Sequence, residues 1–198
     1  VVLAETDLDV SAFSALGDIA ITQGSWISAG AEAAGDVYIR GGQLVIDDQN
    51  RPQNLEFEGG IFVDSTGNGD SGIIDIGLEG DLSVLNGAYI KCGEYAAGGD
   101  GKVRIHADNL LLSNDSWIVS VTTGQGDGAD IDIVADNAVT VQENAWIYSL
   151  TSQAEGRGGD IQVQAKDIRV NSEGWINSSS SGSGAGGHLT LSASDRVD

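Results

Sequence analysis

Gly158-Gly-Asp160-Ile-Gln-Val-Gln-Ala165, followed by Ile168-Arg-Val170 and then Trp175-Ile-Asn-Ser178, sets out the period on which the whole chain is built. The first run alternates apolar and polar residues, as a strand with one buried face must. It returns as Ile74-Asp-Ile76, Val103-Arg-Ile105-His-Ala107, Ile131-Asp-Ile133-Val-Ala135 and Leu189-Thr-Leu191-Ser-Ala193, and earlier as Val37-Tyr-Ile39. From position 74 onward the copies start 29, 28, 30 and 28 residues apart. A second run follows each first, at Leu82/Val84, Leu110/Leu112, Val139/Val141 and Ile168/Val170. Near the start, Ile19/Ile21 takes this second place, with Leu8/Val10 read as the first run. A third run begins five residues after the second ends, always with an aromatic and then Ile. Its copies are Trp26-Ile27, Tyr89-Ile90, Trp117-Ile118, Trp146-Ile147 and Trp175-Ile176, which take in all four tryptophans.

Three short strands per unit, repeated with no helical stretch, predict an all-β parallel β-helix of about six coils, with a repeat of 28–30 residues. One coil alone buries too few aliphatics to offset the entropy of ordering its backbone. Stacking pairs each strand with its copies above and below, which is why residue types recur in columns. A β-sandwich also has many short strands, but it does not require one aromatic-Ile step at near-constant spacing. At ~4.8 Å per coil the rod is expected to be about 30 Å long. Residues 1–198 read as a single domain with one break. The unit from Val37 to Ile74 spans 37 residues, lacks the aromatic-Ile step and holds the only proline, Pro52. An inserted loop around 47–60 accounts for the excess, and insertions in repeats often mark a binding face.

Composition narrows the function. Of the 198 residues, 30 are Asp or Glu and 9 are Lys or Arg, a formal net charge of −21. Nucleic acid and anionic lipid both call for a basic footprint, so neither is an expected partner. No apolar run is long enough to span a membrane as a helix. A single cysteine, Cys92, excludes an internal disulfide framework, and its inward place beside Ser120 and Ser149 reads as a small buried filler. The absence of Met and of a signal segment reads as a processed or excised piece.

The pattern Gly-Gly-Asp-Ile-x-Val-x-Ala, then Ile-x-Val, then Trp-Ile-x-Ser resembles the repeat region of filamentous haemagglutinin-type adhesins, the large exoproteins of bacterial two-partner secretion. The match covers roughly residues 8–198 apart from the insertion and is best over 101–193. Ala135, Ala165, Gly87-Ala88 and Gly24-Ser25 stand at the matching places. The resemblance implies a right-handed helix, secretion through an outer-membrane pore, and an extracellular filament on a Gram-negative-type bacterium. The Asn-Pro-Asn-Gly motifs of the family's secretion domain are missing, so the segment reads as shaft.

Alternation turns the aromatic of each third strand outward and the following Ile inward. One face is therefore expected to carry a stripe of Trp26, Tyr89, Trp117, Trp146 and Trp175, flanked by Val119, Val121, Tyr148 and Leu150. Such a patch marks a contact surface for another copy, the rest of a longer fibre or a glycan, unless a loop covers it or the rings cap a corner. Asp70, Asp127, Asp130 and Asp160 lie in or beside Gly-rich turns and suit a weakly bound Ca²⁺, with a self-repelling acidic surface as the plainer reading. No other cofactor is expected.

Enzymatic β-helices that bind or degrade polysaccharides are the alternative class. Asp47-Asp48 with Arg51 is the one place resembling a catalytic site, yet neighbouring strand residues point to opposite faces, and an acidic rod repels polyuronates. The chain is not expected to be an enzyme. His106 and His188 share no column, which disfavours a metal pair, and Thr122 and Thr151 do not make the regular ranks an ice-binding face needs. Open strand edges near Val2–Val10 and Leu189–Ala193 are expected templates for end-on stacking. The sequence thus reads as a structural and adhesive module of a secreted surface fibre.

Overall fold

The computed structural model describes residues 8–52, 58–67, 72–95, 101–123, 125–152 and 156–198. Among them no helix occurs, and every strand pair is parallel. The chain is a parallel β-solenoid of about six turns. The first turn holds β1 (Ile19–Thr22) and β2 (Trp26–Ser28). The second holds β3 (Val37–Gly41), β4 (Leu44–Asp47) and β5 (Gly60–Ser65), and the third β6 (Ile73–Leu78), β7 (Leu82–Leu85) and β8 (Tyr89–Glu94). Three turns follow as β9 (Lys102–Ser113) with β10 (Trp117–Thr122), β11 (Asp130–Val141) with β12 (Trp146–Thr151), and β13 (Ile161–Val170) with β14 (Trp175–Ser180). β15 (Leu189–Val197) lies on β13.

Two sheets result. The larger has nine strands, in the order β1-β4-β7-β9-β11-β13-β15, with β3 and β6 joining it through β9. The smaller has six, in the order β14-β12-β10-β8-β5-β2. Where the corner between first and second runs carries glycine, at Gly41-Gly42 and Gly80, the two runs are separate strands. Where it carries Asp-Asn, as at Asp108-Asn109 and Asp136-Asn137, they merge into one strand with a shift in register.

The core sits between the sheets and consists of columns. Leu44, Leu82, Leu110, Val139 and Ile168 stack in one, and Ile61, Ile90, Ile118 and Ile147 in another, all fully buried or nearly so. Cys92 is buried in the inward column of Ser120 and Ser149, as its spacing predicts. On the outside of the nine-stranded sheet, Asp75 and Asp132 share a column and form ion pairs between turns with cations two positions off register, Arg40–Asp75 and Lys102–Asp132, both at 2.6 Å.

The turn into the six-stranded sheet repeats as a two-residue left-handed corner. Asn86-Gly87, Asn114-Asp115 and Glu143-Asn144 all have positive φ at both residues, the conformation that Gly, Asn and Asp tolerate best. Their side chains bond from turn to turn: the Asn144 amide donates to Asp115 at 2.5 Å, and Asn114 donates to Asn86. Corners of this kind hold the aromatic that follows at the same height in every coil.

One expectation needs correction. Leu8/Val10 forms no strand: Asp9 accepts a hydrogen bond from the Ser11 amide, the Phe13 amide bonds back to the Val10 carbonyl, and Leu8 is exposed. This local turn satisfies backbone groups that a strand at that place would offer to β3. The insertion lies between β4 and β5, with 53–57 outside the described residues. After it the register resumes with Gly60-Ile61 in the aromatic-Ile place. A Cβ on Gly60 would stand 2.1 Å from the Tyr89 carbonyl oxygen, so no aromatic fits there.

Candidate functional site

Alternation along β8, β10, β12 and β14 turns the third run's aromatics outward, and parallel in-register pairing sets them one strand spacing apart. Tyr89 and Trp117 meet edge to face with centroids 4.7 Å apart. Trp117 and Trp146 lie 5.3 Å apart and within 4° of parallel, and Trp146 and Trp175 are 5.6 Å apart at 27°. Tyr148, two residues along β12, stands edge-on to both Trp117 and Trp146. Trp26 does not join this stack, because Gly60 separates it from Tyr89 in the column. The predicted stripe of five is thus a contiguous four plus an exposed Trp26.

The stack has a chemical consequence. Trp117 and Trp146 turn ring faces toward each other, so what they offer outward is mainly edges. Their indole Nε1 atoms are buried without an acceptor among the described residues. Val119 points outward by register yet is only 2% exposed, covered by the taller side chains around it. Alternation gives direction but not cover.

Beside the rings runs a trough of about 260 Å³ lined by Phe62, Tyr89, Lys91, Trp117, Val119 and Tyr148, with Val121 and Glu58 at its border. A second cleft of about 240 Å³ continues past Tyr148 along Leu150, Trp175 and Asn177. Among the described residues that line the trough, Lys91 is the one cation. Its Nζ donates to Asp64 Oδ2 at 3.0 Å and to the Tyr95 hydroxyl at 2.5 Å. Burial works to lower its pKa, but the Tyr95 bond and the Asp64 carboxylate together outweigh this and hold it above the ordinary lysine value. Burial raises Glu58 and Tyr148 above their usual ranges. The repeat does not single out Lys91, Asp64 or Phe62. Lys91 is outward by alternation from Tyr89, and placing Gly60 in the aromatic slot would have put Phe62 and Asp64 outward beside it.

The acidic turns are built differently from a cation site. Asp130 Oδ1 accepts the Asp160 backbone N–H, Asp160 Oδ1 accepts that of His188, and Asp127 Oδ1 accepts that of Arg157, each at 2.8 Å. Asp36 does the same for Ile73. Each carboxylate thus staples one coil to the next, which explains Asp at the mouth of the first strand. Asp70 lies outside the described residues. Among the described residues no group of three His, Cys, Asp or Glu side chains is placed to hold a metal. The Asp47-Asp48 pair divides: Asp47 accepts from the Asn86 amide, while Asp48 is buried 3.5 Å from Arg51. His106 is exposed beside Asp136, well away from His188 in the register.

The staple has a pH signature. The Arg157 guanidinium first, and then the His188 amide, hold the Asp160 carboxyl below its ordinary value. A group depressed in the folded state stabilises it above the unfolded pKa, and that contribution is lost as pH falls through the folded pKa. The urea midpoint is therefore expected to fall below about pH 4. Asp160→Asn should lower the midpoint at neutral pH and flatten its dependence on acid; equal pH profiles for the two proteins would contradict this.

The chain matches no protein-family model, no curated protein and no solved structure.

Proposed function

We propose that the chain is a shaft segment and contact module of a secreted bacterial surface fibre of filamentous haemagglutinin type, and that it makes its contacts through the outer face of the six-stranded sheet. The observation carrying this reading is one of contrast. On a molecule of net charge −21, the outward strand positions of that sheet bear, among the described residues, only Asp64 and Lys91 as charges, and these two neutralise each other, while Glu58 at the trough lies 3.8 Å from Arg51. Beyond the Asp64–Lys91 pair the face is aromatic and aliphatic across β10 and β12, as far as Trp175 on β14. Solvated faces of soluble rods do not keep such a patch without use. Parallel stacking supplies the rest of the reading: each coil adds length, and each repeats the same outward chemistry one step along.

Glycan binding is less well supported on this face. Sugar rings stack on open aromatic faces, and the Trp117 and Trp146 faces are turned against each other.

The test is adhesion by a face variant. Beads coated with the chain are expected to bind cells or fibre material, and Leu150→Glu, which puts a carboxylate on the apolar side of the face opposite the ring edges, should cut that binding about tenfold or more. Gln162→Glu adds the same charge outward on β13 in the other sheet and should leave binding unchanged. Equal binding by all three proteins would overturn the assignment of the face.

A further inference from the structure

We propose that the occupant of this face is a second copy of the same chain, laid against it face to face. The proposal rests on reading the six-stranded sheet as a contact surface and goes on to name what it contacts.

Charge is the first ground. Two bodies of −21 each repel wherever their acidic surfaces approach. Around the acidic turns, Asp127, Asp130 and Asp160 would face their own copies. The six-stranded sheet is different. With Lys91 held by Asp64 at 3.0 Å its outward strand positions sum to zero, and Glu58 at the trough has Arg51 3.8 Å away, so two copies bring few like charges into contact there. An anionic partner gains nothing from this neutrality, and a cationic one would be drawn elsewhere, to the acidic turns. A second copy is the partner for which neutrality matters most.

Area is the second ground. Five strands of six residues and one of three, at ~4.8 Å between strands and ~3.3 Å per residue, give a face of roughly 500 Å². Pairing two such faces buries on the order of 1,000 Å², the lower limit for a specific association. The relief is a ridge and a trough: ring edges stand along one side, Val121 and Leu150 line the other, and the trough runs between them. A closed two-fold pair sets this same patch of each copy against the other, the ridge of one facing the trough of its partner.

Salt separates this from other modes. A pair that closes through neutral faces against overall repulsion should tighten when charge is screened, whereas one held by ion pairs should weaken. Sedimentation of the purified chain at about 50 and about 500 mM NaCl, between which the screening length falls roughly threefold, reads the difference. Wild type is expected to form dimers, with a dissociation constant about tenfold lower at the higher salt. Asn177→Glu, an exposed position on this face that adds charge without touching the core, should weaken the dimer at least about tenfold, as should Leu150→Glu. Gln162→Glu should not, and circular dichroism checks that all variants keep the strand spectrum. A wild type that stays monomeric to about 200 µM at both salts would overturn the proposal. So would a dimer that loosens with salt, or one that ignores Asn177→Glu. A monomeric chain whose adhesion still depends on Leu150 would sink the second copy and leave the contact face standing. A dimer whose face variants adhere normally would do the reverse.

Discussion

Replacing Gly159 with alanine should separate the last coils from the rest of the stack and cost at least about 3 kcal/mol. A Cβ at that position would lie 2.1 Å from the Ala129 carbonyl oxygen and 2.5 Å from that of Gly128, both backbone atoms of the coil beneath. Neither can move aside, because the Ile131 amide is bonded to the Asp160 carbonyl at 2.9 Å and the Gly159 amide to Ser149 Oγ at 2.9 Å. In a solenoid each coil is stabilised by its neighbours, so a lost interface is not made good elsewhere. Gly87→Ala provides the comparison. Nothing lies within 4 Å of its Cβ, but φ is +81°, so only the backbone penalty of roughly 1–2 kcal/mol applies. Urea denaturation of both variants measures the difference. Equal costs would mean that the coils are not stacked as tightly as these contacts require.

Ile147→Ala should be nearly as damaging, at about 3–4 kcal/mol. Ile147 is fully buried between Ile118 on one side and Ile176 on the other. Main-chain ladders on both edges of β12 fix the strand spacing, so the void left by the missing atoms cannot collapse. Ile27 occupies the same column in the first coil but is 38% exposed, and Ile27→Ala should cost about 1 kcal/mol. Thermal or urea unfolding again provides the readout. A larger loss at Ile27 than at Ile147 would contradict the assignment of the core.

Much of this architecture is legible in the chain because each coil must repeat what its neighbours do. The aromatic-Ile step locates β2, β8, β10, β12 and β14, and Ile-x-Val-x-Ala locates the first half of the merged strands. Three things were hidden, each for a physical reason. The twelve residues from 48 to 59 displace the count, so Gly60-Ile61 does not look like an aromatic-Ile step, and with it Phe62 and Asp64, the neighbours of Lys91, drop out of view. Alternation predicts that Val119 points outward but says nothing of the neighbours that cover it. Asp130 and Asp160 look like cation ligands in sequence, because the backbone amides they accept belong to the next coil, about thirty residues on. The edge of the stack fails differently. Leu8/Val10 has the alternation of a strand, but Asp9 offers its own side chain to the backbone and a turn wins.

A ladder of distances tests the central claim most directly. Tyr38, Asp75, Arg104, Asp132, Gln162 and Thr190 occupy one outward column of the nine-stranded sheet. With Cys92→Ser as background, spin labels on cysteines placed at position 38 and at 132, 162 or 190 in turn should give three separations rising by about 4.8 Å per coil, near 14, 19 and 24 Å before allowance for the label arms. A steady rise of one strand spacing for every repeat is the result expected of a chain that returns above itself. Separations that fail to increase in that order would contradict it.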